Sequence, residues 1–376
     1  MTKSLDFLQK SERPSFWQRF DWRQALAIDL GSNEIRIFRV NLHKKEQMEI
    51  LNIDQACVAV KRTSRLQQPK VLAIGRDALE MRERFGEEVD VIFPIVAGRI
   101  VDEKLAKILV KELLKRALRV DRILPFVISP VIVLTVKAGS SEFSRRNLCR
   151  LFYDLGVSEL HLLVEPLAAA IGAGLPIADT NGALLVQMGA AGVEAAALSL
   201  GSLVSFQSNL WTGTVAGWEL DELLRAYLVK KHHLLITLEA SEQLKKQIDL
   251  DLIQEDQLAT QKSFKLIGKD LLSKKAKTIN VSNQELVKAL EPIIKDYLLL
   301  IEQLLQEMPN ALLSDILDRG ILLSGNLAKL KGLDRFLARS LKMPVAVVED
   351  PDLAAATGAL TVLENIELFK ASLAYL

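Results

Sequence analysis

The sequence is short of cysteine: Cys57 and Cys149 are the two in 376 residues, and neither has a second Cys or His beside it at ligand spacing. That excludes a disulfide framework and a structural zinc site. Net charge is nearly absent too, with 48 Lys and Arg against 47 Asp and Glu. No global field would draw the chain to nucleic acid, and no basic stripe supplies a local one. Histidine is scarce, four in all, and His232 and His233 follow Lys230 and Lys231 at the end of a helical pattern. Imidazoles there suit the exposed carbonyls of a last turn better than catalysis. The first residues lack the apolar core of a signal peptide, and Pro14 interrupts them, which predicts a cytoplasmic protein. Long apolar runs are missing as well. Residues 123–136 are too few to span a bilayer and carry Pro125 and Pro130; residues 181–206 are rich in Gly, Ala and Ser and contain Gln187 and Glu194.

What is present is an ordinary globular composition, 49% apolar and 25% charged, enough for two or three domains with sizeable cores. Residues 25–40 (ALAIDLGSNEIRIFRV) read as strand, glycine turn and strand, with apolar alternation on both sides of Asp29-Leu30-Gly31. Residues 183–206 repeat that plan around Gly189 to Gly192, with a further turn at Gly201. A weak duplication at about half the chain length follows. Between the two units lie helical patterns: Leu105, Ile108, Leu109 and Leu113 share one face after Asp102, and Leu220, Leu223, Leu224, Tyr227 and Leu228 share another after Gly217. Pro166 suits a first helical turn, as does Pro351 after an Asp350 cap. A long helix from Asn283 to Met308 is expected to bend at Pro292. Strands mixed with helices predict an α/β protein of two related lobes.

A strand ending in Asp-Leu-Gly before a polar turn can hold an anion against backbone N–H groups and a water on Mg²⁺. Alone it is a weak signal. Further segments follow: VLAIGRDALEM from Val71, FPIVAGRIVD from Phe93, LLVEPLAAAIGAGLPI from Leu162, RGILLSGNLAKLKGLDRFLA from Arg319 and MPVAVVEDPDLAAATGAL from Met343. In this order they resemble the actin-like superfamily and, within it, the bacterial rod-shape MreB family, over roughly Leu26 to Leu363. The resemblance implies an actin-like two-lobe fold of duplicated RNase H-like domains with smaller inserted subdomains. It places lobe I at 25–163, with a small subdomain near 50–90, and lobe II at 164–340, with one near 213–275. Residues 341–376 return to lobe I, and 1–24 form an amino-terminal segment.

By resemblance, the nucleotide-binding residues are Asp29, Gly31, Ser32, Gly189, Gly192, Glu242, Lys245 and Gly325, with ATP and Mg²⁺ as the family's ligands. Departures fall on the chemistry. Glu34 either points to solvent or repels a polyphosphate by ~1 kcal/mol or more. Gln187 stands where the family has a metal-linked aspartate, and the methyls of Ala190 and Ala191 crowd a nest that the family fills with glycine. Ser144 stands at the family's water-positioning glutamate and cannot act as a carboxylate base; Glu142 would lie on another side of that helix. Leu327 would crowd the adenine-side loop. These losses imply no catalytic residue, no metal ligand, lost hydrolysis, and nucleotide binding weak or absent.

Phe16, Trp17 and Phe20 lie among Trp22, Arg19 and Arg23, a composition suited to a membrane interface or to packing on the protein itself. By resemblance, Phe126, Val127 and Ile128 mark an apolar loop that also meets membranes. The reading is an MreB-like cytoskeletal protein at the inner face of the cell membrane, self-associating into protofilaments and working with other cell-shape or MreB-like proteins, without nucleic acid. The alternatives are a non-polymerising membrane adaptor and a still-active actin-like ATPase; a sugar kinase or Hsp70-like enzyme would need the carboxylate that Gln187 lacks.

Overall fold

The computed structural model describes residues 24–40, 48–62, 70–118, 130–210, 217–253 and 262–374. The strand Ala25–Leu30 is buried along its whole length because its alternating side chains enter two different cores. Leu26, Ile28 and Leu30 pack with Leu105, Leu109 and Leu113 of the helix Glu103–Leu118. Ala25 and Ala27 face an alanine-rich core containing the helices Glu165–Gly172 and Ala354–Glu364. Ile108, expected on the packed face of its helix, is 39% exposed: it lies at the edge of the apolar stripe, whose centre passes through Leu105, Leu109 and Leu113.

Six strands make the first large sheet, in the order Leu373–Ala374, Glu159–Val164, Val131–Val136, Ala25–Leu30, Glu34–Val40 and Met48–Gln55. Ala25–Leu30 forms an antiparallel hairpin with Glu34–Val40 and pairs in parallel with Val131–Val136. The second large sheet reuses this plan. Ala183–Met188 forms a hairpin with Val193–Ser199 and pairs in parallel with Ile321–Ser324; Ser202–Ser208 and Val345–Val347 complete its edges. The duplication read from the sequence is therefore a duplication of strand order. Two three-stranded sheets sit apart, one built from residues 58–92 and one from residues 234–282.

The two large sheets share the alanine-rich core. Leu185, Ala196 and Leu198 of the second sheet enter it alongside Ala25, Ala27 and Val133 of the first. Its helices touch backbone to backbone: a Cβ on Gly172 would stand 1.9 Å from the Ala354 carbonyl oxygen, and one on Gly358 would stand 1.7 Å from that of Ala168. Ala168, Ala169, Ala355, Ala356 and Ala359 continue the small-residue seam.

Two local expectations need correction. The helix near Pro351 starts at Ala354, with Leu353 in the cap position; Asp350 has a φ of 43°, so Asp350-Pro351 makes a turn, and the Pro351 carbonyl accepts hydrogen bonds from Gly325 N–H and the Ser324 hydroxyl. His232 does not serve carbonyls at its helix end; its Nε2 lies 2.6 Å from Glu285 Oε1. The long helix expected to bend at Pro292 spans Asn283–Glu307 with that proline inside it, and Leu286, Leu290, Ile294 and Tyr297 are buried along it. No helix among the described residues is long and apolar enough to cross a membrane.

The helix seam is testable. Gly358→Ala should cost about 2 kcal/mol or more, since the methyl meets backbone and not a movable side chain. Urea denaturation followed by circular dichroism would measure it, and an unchanged midpoint would contradict the close approach.

Candidate functional site: the cleft between the two large sheets

The ends of the two hairpins meet at a cavity of about 250 Å³, lined by Asp29, Gly31 and Ser32 on one side and Gln187, Gly189, Ala190 and Ala191 on the other. Glu242, Lys245, Gly325 and Leu327 also face it. Gly192 does not line the cavity: a Cβ there would stand 2.3 Å from Leu210 Cδ2, so that glycine serves packing against the chain after Ser208. Gly325 has a structural duty too, because at φ 88° a Cβ would stand 2.3 Å from the Met188 carbonyl oxygen. The turn at 189–192 closes through Gly189 N–H to the Gly192 carbonyl, 2.8 Å. Ala190 and Ala191 are accommodated without positive φ. Phe16, Trp17, Phe20, Phe126, Val127 and Ile128 lie outside the described residues.

The floor of the cleft is a buried charge network. Asp29 accepts a hydrogen bond from Thr135 Oγ1 at 2.7 Å and pairs with Arg36 at 3.2 Å. Arg36 also binds Glu34 at 2.7 Å. Glu34 is thus neither a free repulsive charge nor a side chain turned to solvent, because a guanidinium two residues along the same strand face captures it. Lys137, at the end of the parallel strand Val131–Val136, pairs with Glu165 and stands 3.9 Å from Glu194. Gln187 donates its amide to Glu165 at 2.8 Å, and its own carbonyl oxygen has no hydrogen-bond partner. Gly139 N–H donates to Glu194 at 3.0 Å.

Burial moves these groups. It raises Asp29 above the ordinary carboxylate range, helped by nearby Glu165 and opposed by Arg36. It pushes Glu194 up to about 7 against the pull of Lys137. For Lys137 burial works toward neutrality, but Glu165 and Glu194 outweigh it and hold the ammonium charged.

Among the described residues, all five basic side chains lining the cavity have acidic partners. Arg36 and Lys137 are joined by Lys245 with Asp221 at 2.6 Å, Lys246 with Glu242 at 2.8 Å and Lys329 with Asp352 at 2.7 Å. Lys245 also donates to the Gly217 carbonyl. A polyphosphate entering here would have to displace carboxylates from cations one by one. Ser144 is buried and bonded to Ser141, the cap of its helix, 2.9 Å between hydroxyl oxygens, and does not line the cavity.

The acidic groups of the cleft floor are engaged by the protein's own cations. Among the described residues no three Asp, Glu, His or Cys groups converge as ligands. Asp29 is held by Arg36, Glu165 by Lys137, and Gln187 is neutral with its amide, not its oxygen, turned to Glu165. The thiols offer nothing either: both are buried and unpaired, and burial pushes Cys57 up to about 12.

Sequence reading did not single out Lys137, Arg36, Asp221 or Trp218. Trp218 closes the mouth of the cleft, its ring centroid 5.0 Å from that of Phe93 and its Nε1 3.4 Å from Asn33 Oδ1. One of these residues carried a visible signal, since Lys137 ends an otherwise apolar strand; Arg36 falls on the polar phase of the alternation between Ile35 and Ile37 and carried none.

Two hairpin turns over a common cleft, each on a sheet of duplicated order, define an actin-like protein. Structures with that fold agree: MreB5 of Spiroplasma citri bound to AMPPNP superposes with a TM-score of 0.80 at 21% identity, covering 93% of this chain and 99% of that one. A MamK double helical filament gives 0.69 at 19%, over 91% and 99%. The model of the MreB/Mbl protein family matches residues 23–371, and the chain belongs to that family. The cell shape-determining protein MreB of Escherichia coli K12 is 30% identical over 344 residues, 91% of this chain and 94% of that protein. The cell shape-determining protein Mbl of Bacillus subtilis 168 is 28% identical over 91% and 96%.

The buried acid gives a pH prediction. A carboxyl raised on folding binds its proton more tightly in the native state, so its stabilising contribution is whole below the ordinary glutamate range and is lost as pH rises through about 7. Thermal stability should therefore decline between about pH 5 and pH 8, and Glu194→Gln should flatten that decline. A variant with the wild-type slope would assign the dependence elsewhere.

Proposed function

We propose that this chain is a filament-forming, cell-shape protein of the MreB/Mbl family whose cleft no longer hydrolyses ATP and holds nucleotide weakly or not at all. The observation that carries the reading is the pairing of every basic side chain in the cavity with a carboxylate of the same chain, together with the neutral Gln187 at the second turn. Filament formation is supported by the MamK filament of the same fold, and the nucleotide question is posed by MreB5, whose structures carry AMPPNP and ADP. The boundaries expected from the sequence are kept as part of the proposal, with lobe I at 25–163 and lobe II at 164–340. So is the membrane role of Phe16, Trp17, Phe20, Phe126, Val127 and Ile128 at the cytoplasmic face.

Three measurements test this reading. Phosphate release from ATP should equal that of Asp29→Ala; absence of a positioned base alone lowers rates by about 10²- to 10⁴-fold. Ser144→Glu with Gln187→Asp should restore little, because Lys137 and Arg36 still occupy the acidic groups. A wild-type rate well above Asp29→Ala would sink the proposal. Sedimentation and electron microscopy should detect protofilaments that depend on concentration and salt; monomer under all conditions would favour the adaptor. Flotation on anionic liposomes should carry the wild type and lose it on deletion of residues 1–22 combined with Phe126→Ser and Ile128→Ser. If the wild type stays in the soluble fraction, the aromatic residues belong to the protein's own packing.

A further inference from the structure

Lys137 joins parts of the molecule that would separate if the cleft opened. It projects from the end of a first-sheet strand, and Glu165 opens the helix of the shared core. Gln187 reaches the same carboxylate from the second sheet. Glu194, also on the second sheet, is capped by the Gly139 N–H that follows Lys137. The approach is tight, since a Cβ on Gly139 would stand 2.5 Å from Ser208 Oγ and 3.2 Å from Leu210 Cδ1. At the mouth, Trp218 and Asn33 make a second crossing.

In a cleft that bridges its halves through a bound metal and polyphosphate, closure follows occupancy. Here the Lys137 ammonium itself stands among the carboxylates, so a cation entering the floor would have to compete with it. Given the non-hydrolysing cleft proposed above, we propose that Lys137, through Glu165 and beside Glu194, is a built-in clamp that keeps the two halves closed without nucleotide or metal. Closure then becomes a permanent property of the chain, and assembly-competent geometry does not wait for a ligand. Removing one partner of such a buried pair leaves an uncompensated charge, which is far more disruptive than removing both.

The Gly139 amide reports on the clamp because its hydrogen bond crosses the cleft. Hydrogen exchange of that amide should be measured on monomeric protein in EDTA without nucleotide and again with Mg²⁺ and ATP. The expected result is full protection in EDTA, changed by less than about threefold on adding ligand, and lost by at least about tenfold in Lys137→Met. Lys137→Met with Glu165→Gln removes both charges; it is expected to fold as judged by circular dichroism and still to lose the protection. Protection that arises only with Mg²⁺ and ATP, or that survives in the double variant, overturns the clamp. Because the readout needs neither turnover nor filaments, those results stay distinct from failure of the hydrolysis or assembly readings.

Discussion

The backbone-to-backbone contact of the helices Glu165–Gly172 and Ala354–Glu364 sets where everything else can be. Gly172 and Gly358 let the helices approach until no methyl fits between them, and the alanines on either side fill the seam without pushing it apart. Both large sheets lay residues onto this pair, so the distance between sheets is fixed by side chains with almost no rotamer freedom. Glu165 is the first residue of one of these helices. Its carboxylate therefore enters the cleft floor at a place determined by packing several residues away.

From that placement the electrostatics follow. A carboxylate fixed in a desolvated floor must be neutralised by a proton, a metal or a protein cation. The chain supplies Lys137 for Glu165 and Arg36 for Asp29. Buried ion pairs of this kind contribute little net stability compared with apolar substitutes, yet they define one arrangement of the groups that share them. Gln187 contributes an amide and no charge, so Arg36 and Lys137 serve Asp29, Glu34, Glu165 and Glu194 between them, and burial holds Asp29 and Glu194 above the ordinary carboxylate range. The same residues that would attract a metal–polyphosphate complex in an acidic, cation-poor cleft are committed to one another.

How much of this could be read from the amino-acid sequence depended on the range of the interactions. The hairpins 25–40 and 183–199 were legible because strand alternation and a glycine turn are local, and the helix at 217–232 was legible through its 3.6-residue period. Asp29, Gln187, Glu242 and Lys245 were expected in one cleft from resemblance, and they do line one cavity. The packing of Gly192 beside Leu210, away from the cavity lining, was not legible, because a glycine needed for a phosphate nest and one needed for packing look alike in a sequence. Glu34 was misread because sequence reading did not single out its partner, Arg36. The role of Lys137 was hidden for a different reason: its partners are 28 and 57 residues away in sequence, and only the fold brings Glu165 and Glu194 to it.

If the cleft is held closed by its own charges, as proposed, that would change what a filament of this chain could do. Hydrolysis gives a filament two subunit states and hence a source of free energy for directional turnover; a subunit held in one state can only equilibrate between free and assembled forms. Its filaments would grow or shrink with concentration, ionic strength and the surface that gathers them, because those are the remaining variables of the association equilibrium. Weak anchors repeated along a polymer bind a membrane far more firmly than one subunit does, so membrane and assembly would reinforce each other without any chemical step. In such a protein the scaffold has to stay intact while the catalytic groups are free to change. Here the helix seam and the strand order are intact, and Gln187, Ala190 and Ala191 line the cavity.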